Sequence, residues 1–286
     1  MAAIIDVDTL VALRRRAVVV CVSSAGNPPE QGIPGSVWAD VEADFSAPQA
    51  GLPHTVPEDP RSLFLRLGVT SKKPLVLYSA HDPGPAARVW WLARVAGFPN
   101  AAVLDGGVQA WQESGREVAP IERAECGAGT GASISGEDTP VEWERLADAP
   151  AVREALTSYN SFVVDVRSAQ RFQGTGSEPL TGVRAGHVPG SFNLPVSRLL
   201  RVTEAGGWRL RDVDELRDIF EPIIGPAGAV TFLSGTALDA CVGALAANVA
   251  GYGDVQVYEG SWAEWGWAHN DPQDFPVATG PSGEPR

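Results

Sequence analysis

Apolar residues come along this chain in short unbroken runs separated by longer stretches of helical spacing, and the alternation occurs twice over. Residues 18–22 (VVVCV) and 162–166 (FVVDV) are β-branched apolar runs. At this length, and bounded by turn formers, such runs predict strands buried on both faces. Residues 75–78, 101–104, 229–233 and 255–258 read the same way. Helical spacing predicts helices near 7–15, 60–67 and 85–96 in the first half and near 142–156, 212–220 and 238–250 in the second. The last of these would carry Leu238, Cys241, Leu245 and Val249 on one apolar face. A short strand is expected after each of two I/V-P-G-S turns, and each half closes with a Gly-rich turn and a Trp-bearing helix.

The two halves are copies of one another. Segment 76–111 aligns with segment 230–265 without a gap, at a constant offset of 154 residues. Tyr78 meets Phe232, Val95-Ala96-Gly97-Phe98 meets Val249-Ala250-Gly251-Tyr252, and Gly106 and Trp111 meet Gly260 and Trp265. Upstream, Ile33-Pro34-Gly35-Ser36-Val37 faces Val188-Pro189-Gly190-Ser191-Phe192. The upstream match has an offset of 155, and several matches in the same order are the signature of duplication. Strands alternating with helices imply a mostly parallel sheet with helices on both faces, so the expected fold is α/β, built twice. The Gly-, Ser- and Thr-rich stretch at 125–140 has no periodicity and reads as a linker between domains at 1–124 and 141–286.

Composition narrows the function. The 286 residues suffice for two cores, and 22 Lys and Arg against 35 Asp and Glu leave a net charge of −13. That balance argues against nucleic acid and anionic membrane surfaces as partners, since both reward clustered cations. No apolar run approaches the ~20 residues that span a bilayer. The first six residues lack a basic stretch followed by an apolar core, so a cytoplasmic protein is expected. Cys21, Cys126 and Cys241 lie far apart and the four histidines are scattered, so neither a disulfide framework, a metal site nor any cofactor is called for.

The chemistry points to one loop. In a parallel sheet, ligands sit where a strand end feeds a helix N-terminus, and unpaired N–H groups there stabilise an anion. Ser234, Gly235, Thr236, Ala237, Leu238 and Asp239 occupy such a junction in the second copy. Around it, Asp165, Arg167, Arg171-Phe172 and Gly186-His187-Val188-Pro189-Gly190, together with Gly260-Ser261-Trp262-Ala263-Glu264-Trp265, resemble the catalytic domain of the tandem-domain rhodanese family. Arg88-Val89-Trp90-Trp91 and the run from Leu104 to Trp111 resemble that family's non-catalytic N-terminal domain. The resemblance spans nearly the whole chain. It implies two tandem rhodanese-like domains and transfer of sulfane sulfur from thiosulfate or 3-mercaptopyruvate to a thiophilic acceptor. The partners it implies are a small anionic sulfur compound or a sulfur-carrying acceptor.

The family's loop reads C-G-S-G-V-T in mercaptopyruvate-type and C-R-K-G-V-T in thiosulfate-type members. Ser234 therefore stands at the nucleophile position, Gly235 matches the mercaptopyruvate form, Thr236 keeps a hydroxyl, and Ala237, Leu238 and Asp239 depart. These further departures favour natural divergence over an engineered Ser234. Sulfur transfer needs a thiolate that can be held as a persulfide, and a serine hydroxyl without a base supplies none. Asp239 also places negative charge in the positive first turn. Turnover is thus expected to be impaired or absent, and whether the chain is an enzyme at all stays open. The alternative is a non-catalytic anion- or partner-binding regulatory module. A serine hydrolase lacks both the G-x-S-x-G elbow and a histidine placed near Ser234 by the sequence. Arg171 and Arg184 match positions that hold a substrate carboxylate, with a structural ion pair, for instance to Asp165, as the equal rival. Asp165 is expected to fix the loop after its strand and His187 to be a structural hydrogen-bonding residue. Cys21 and Cys241 read as buried and inert, Cys126 as exposed in the linker. Trp262, Trp265 and Trp267 read as core and interdomain residues.

Overall fold

The structure is a computed structural model that describes residues 1–24, 27–47, 52–70, 72–124 and 140–281. The linker expected at 125–140 lies outside these residues except for Pro140, and so does Cys126. Two compact units emerge, the first from Met1–Ala47, Val56–Trp143 and Val202–Leu210, the second from Pro48–Thr55, Glu144–Arg201 and Arg211–Arg286.

In the first unit the strands are β1 (Ile4–Ile5), β2 (Val18–Ser23), β3 (Gln31–Gly32), β4 (Val37–Asp40), β5 (Leu75–Ser79), β6 (Ala101–Leu104), β7 (Ala119–Pro120) and β8 (Glu122–Arg123). The helices are α1 (Val7–Leu13), α2 (Val41–Phe45), α3 (Pro60–Arg66), α4 (Gly84–Val95) and α5 (Gly107–Glu113). Six strands form a parallel sheet in the order β1-β6-β5-β2-β4-β8, with β3 and β7 paired separately and antiparallel. Every residue of β2 and β5 is buried. Successive side chains of a strand point to opposite faces, so burial without alternation means both faces are covered.

The second unit repeats this plan. Its strands are β9 (Leu146–Ala147), β10 (Ser161–Asp165) and β11 (Phe192–Asn193), then β14 (Ala229–Leu233) and β15 (Val255–Tyr258). Between them in the chain, β12 (Leu200–Val202) and β13 (Trp208–Leu210) form a separate two-stranded piece, and Val202–Leu210 belongs to the first unit. The helices are α6 (Ala149–Thr157), α7 (Ala169–Gln173), α8 (Val213–Ile224), α9 (Leu238–Ala250) and α10 (Ser261–Trp265). The parallel sheet runs β11-β10-β14-β15-β9, the order of the first sheet without a partner for β8 among the described residues. The offset of 154 survives in three dimensions: β5 and β14, β6 and β15, and the starts of α4 and α9 all obey it. Two α/β domains of mostly parallel sheet and flanking helices are the observed architecture.

Three local readings are corrected. The helix expected at 142–156 begins only at Ala149, because Leu146–Ala147 pairs with Val257–Tyr258 as an edge strand. Asp148 then caps the helix by accepting the Ala151 N–H at 2.9 Å, and Pro150 fits the first turn, where no N–H is needed. The helix expected at 212–220 continues through Pro222 to Ile224. The helix at 238–250 has no single apolar face. Ala240 through Ala247 are all buried, with Leu238 and Val249 only half-buried, so α9 is enclosed all round its middle.

Candidate active site

β14 delivers the chain to Ser234 at the carboxyl edge of the sheet, and α9 begins four residues later. Ser234 is buried, and its Oγ accepts the Ala240 N–H of the first turn of α9 at 3.2 Å. Three successive carbonyls of the loop are drawn to donors outside it. Ser234 C=O accepts from Trp262 N at 2.9 Å, Gly235 C=O from Ala263 N at 3.0 Å, and Thr236 C=O from His54 Nδ1 at 2.6 Å. Across a planar trans peptide the N–H points opposite to the C=O. The N–H groups of Gly235, Thr236 and Ala237 are therefore turned the other way, and among the described residues none of them has a protein acceptor. Ala237 reaches the helix with φ +71°, a left-handed conformation usually left to glycine. Unpaired N–H groups at the start of a 13-residue helix form a cradle for negative charge.

α10 braces the loop from below. Ser261, itself at φ +48°, accepts the Ser234 N–H on its Oγ at 3.2 Å and donates to Tyr258 C=O at 2.9 Å. Asp239 lies half-buried in the first turn of α9, and Leu238 beside it is likewise half-buried. Among the described residues no base touches Ser234 Oγ; its hydrogen-bond partner is a donor.

Beside the loop runs a chain of alternating charges. Asp165 ends β10, and its Oδ1 accepts the Arg167 backbone N–H at 2.9 Å. Arg167 is fully buried. It grips Asp165 through Nε (3.0 Å to each oxygen) and Nη2 (2.6 Å), donates to Gly186 C=O at 2.8 Å, and lies 4.2 Å over the Trp262 ring. Its Nη1 reaches Glu178 Oε1 at 3.0 Å. The other oxygen of Glu178 accepts from Arg171 Nη2 at 2.7 Å and Nε at 3.2 Å. Burial of two carboxylates and two guanidinium groups is tolerated because each charge is matched.

The arginines expected at the site part company. Arg171 comes to the loop: a Cβ on Gly235 would lie 3.0 Å from its Nη2. Arg184 donates to the carbonyls of Trp265 (2.8 Å), Phe275 (2.9 Å) and Gly266 (3.3 Å). The ion pair sketched between Arg171 and Asp165 is made instead by Arg167, and Arg171 pairs with Glu178. His187 donates from Nδ1 to Phe172 C=O at 2.8 Å and stacks on the Phe172 ring at 3.7 Å; burial holds its pKa below the ordinary imidazole value. Cys241 is buried within α9, and burial pushes the Cys21 thiol up to about 12. Trp262 and Trp265 are buried, whereas Trp267 is 39% exposed and does not belong to the core.

Two residues at this site escape the sequence reading. His54 approaches the loop across 182 positions, and Glu178 lies in a stretch without any periodicity. No local signal distinguishes either from an ordinary surface residue.

Comparison with known proteins agrees with the duplication. The rhodanese-like domain family matches residues 4–114 and 148–267. The chain is 32% identical over 250 residues to the 3-mercaptopyruvate sulfurtransferase of Homo sapiens, covering 82% of this chain and 77% of that protein. It is 31% identical over 246 residues to the protein of the same name from Escherichia coli (strain K12), covering 82% and 80% respectively. Among solved structures it superposes on a 3-mercaptopyruvate sulfurtransferase from Leishmania major with a TM-score of 0.74, 21% identity, and coverage of 92% of this chain and 74% of that one. At that identity the likeness is one of fold.

Proposed function

This chain belongs to the rhodanese family, and on that premise we propose that its second domain binds a small sulfur-containing anion but does not carry sulfane sulfur through a normal catalytic cycle. In the family reaction a cysteine thiolate attacks the sulfane sulfur of the donor. The donor leaves with the electron pair, and the acceptor then takes the outer sulfur of the persulfide. The observation that carries the reading is the environment of Ser234 Oγ. It sits where the family places its cysteine, receives a hydrogen bond from Ala240 N–H, and meets no base among the described residues. A hydroxyl so placed stays protonated, and its oxygen forms no stable carrier bond to sulfur.

The anion-binding half of the site is independent of the thiol. The N–H groups of Gly235, Thr236 and Ala237 and the guanidinium of Arg171 supply the donors a carboxylate or sulfur oxyanion needs. Gly235 matches the mercaptopyruvate-type pattern, Thr236 keeps the hydroxyl of its third position, and the curated relatives above bear that name, which favours 3-mercaptopyruvate over thiosulfate as the ligand. The same donors support the second reading, a non-catalytic module that recognises the anion or a sulfur-carrying partner. His54 does not revive a hydrolase: its Nδ1 donates to Thr236 C=O and not to Ser234.

The test is thiocyanate formation from 3-mercaptopyruvate or thiosulfate with cyanide, alongside calorimetric titration of both donors. The natural chain should bind without turnover, and Ser234→Cys should gain turnover. Vigorous turnover by the natural chain would overturn the reading. Binding without any gain in Ser234→Cys would favour the binding module.

A further inference from the structure

A guanidinium offers two edges that can grip an oxyanion: the side edge, Nε with Nη2, and the end edge, Nη1 with Nη2. In Arg171 the side edge is taken by a single oxygen, Glu178 Oε2, at 3.2 and 2.7 Å. The end edge faces the loop, since the two guanidinium nitrogens nearest a Cβ at Gly235 are Nη2 at 3.0 Å and Nη1 at 3.5 Å. Nη1 makes no hydrogen bond among the described residues.

Glu178 can hold this aim because it is itself held. Its side chain is 6% exposed, and Oε1 is fixed by Arg167, which is pinned in turn by Asp165, Gly186 C=O and the Trp262 ring. Arg171 is the outermost member, 22% exposed, with a long side chain that would sample many rotamers without that anchor. The same carboxylate cancels much of the charge that Arg171 would offer an anion. The four charges of the network sum to zero.

We propose that Glu178 is a positioning residue that aims the end edge of Arg171 at the Gly235 loop while its charge moderates the loop's affinity for anions. The inference rests on the reading that this loop binds a small anion, and it does not depend on the chemistry of Ser234. The two roles separate on substitution. Glu178→Gln removes the charge and keeps one acceptor oxygen, which serves Arg171 when the amide NH2 takes the place of Oε1, whereas Glu178→Ala removes both charge and acceptor.

The experiment is calorimetric titration of 3-mercaptopyruvate and of thiosulfate into the full chain, Glu178→Gln, Glu178→Ala, and Glu178→Gln combined with Arg171→Ala. Binding should tighten about tenfold in Glu178→Gln, the scale of one charge-assisted contact, and weaken by a similar factor in Glu178→Ala. The added Arg171→Ala should erase the gain. A merely structural carboxylate would lower the melting temperature of both variants and leave their dissociation constants equal to that of the natural chain. Equal constants, tighter binding by Glu178→Ala, or a gain that survives Arg171→Ala would each overturn the proposal. If Glu178→Ala does not fold, Glu178→Gln with and without Arg171 decides it. Absence of binding in every chain would overturn the anion-site reading and this proposal with it; binding with a flat series would overturn only the role of Glu178.

Discussion

Ser234 Oγ accepts a hydrogen bond from the Ala240 N–H, and on the proposed reading it stands where a family member would hold a thiolate. A hydroxyl and a thiolate can both accept from an N–H such as that of Ala240, so Ser234→Cys should leave the shape of the loop intact. The costs of disturbing the neighbours are larger. Replacing Arg167 with Met would leave Asp165 and one oxygen of Glu178 buried without their partner, and the loss of a buried pair costs about 3–5 kcal/mol. Urea unfolding should show that loss as a lower midpoint at unchanged slope. At this scale the sequence was partly legible. The loop from Ser234 to Asp239 was legible because a strand, a loop and a helix succeed one another locally, whereas Arg171 was singled out by its match to a family position. His54 and Glu178 could not be found, because what defines them is a partner reached through tertiary packing. Arg184 was likewise singled out by its match to a family position that holds a substrate carboxylate, while its donors are directed to three backbone carbonyls.

The elements were legible where the pattern was strong and long. β14, α9 and β15 coincide with the runs read at 229–233, 238–250 and 255–258. Two-residue strands such as β9 carry no pattern to read, which is why the helix after it was begun too early. α9 was read as amphipathic, but its middle is buried all round, and small residues let it lie close to the sheet. Gly243 marks the tightest approach, since a Cβ there would meet Phe232 Cδ1 at 2.7 Å. Phe232 is enclosed by Phe220 and has little room to move. Gly243→Ala should therefore destabilise the domain by about 1–3 kcal/mol despite the better helix propensity of alanine. Thermal melts of the two chains would show it; an unchanged or raised midpoint would mean that α9 can shift away from β14.

For the molecule as a whole, duplication explains the fold. The copies share their strand order and spacing, and in the second Arg171 lies beside the Gly235 loop. The net charge of −13 opposes an approaching anion, so the proposed binding would have to rely on the local N–H groups and the Arg171 guanidinium. Stability should also depend on pH through His187. Burial favours its neutral form in the folded chain, whereas the unfolded chain takes up a proton near pH 6.5. The unfolded state thus binds more protons as pH falls below about 6.5, and stability should decline from there until the folded imidazole also titrates. His187→Gln should flatten that decline in melts taken between about pH 7.5 and 5. The central claim, that this chain keeps the anion cradle of its family but cannot hold sulfur, is tested most directly by intact-mass measurement after incubation with 3-mercaptopyruvate. The account predicts no added sulfur at position 234 of the natural chain and one added sulfur atom, removable by a thiol, on Ser234→Cys. A sulfur atom carried at position 234 by the natural chain would contradict it.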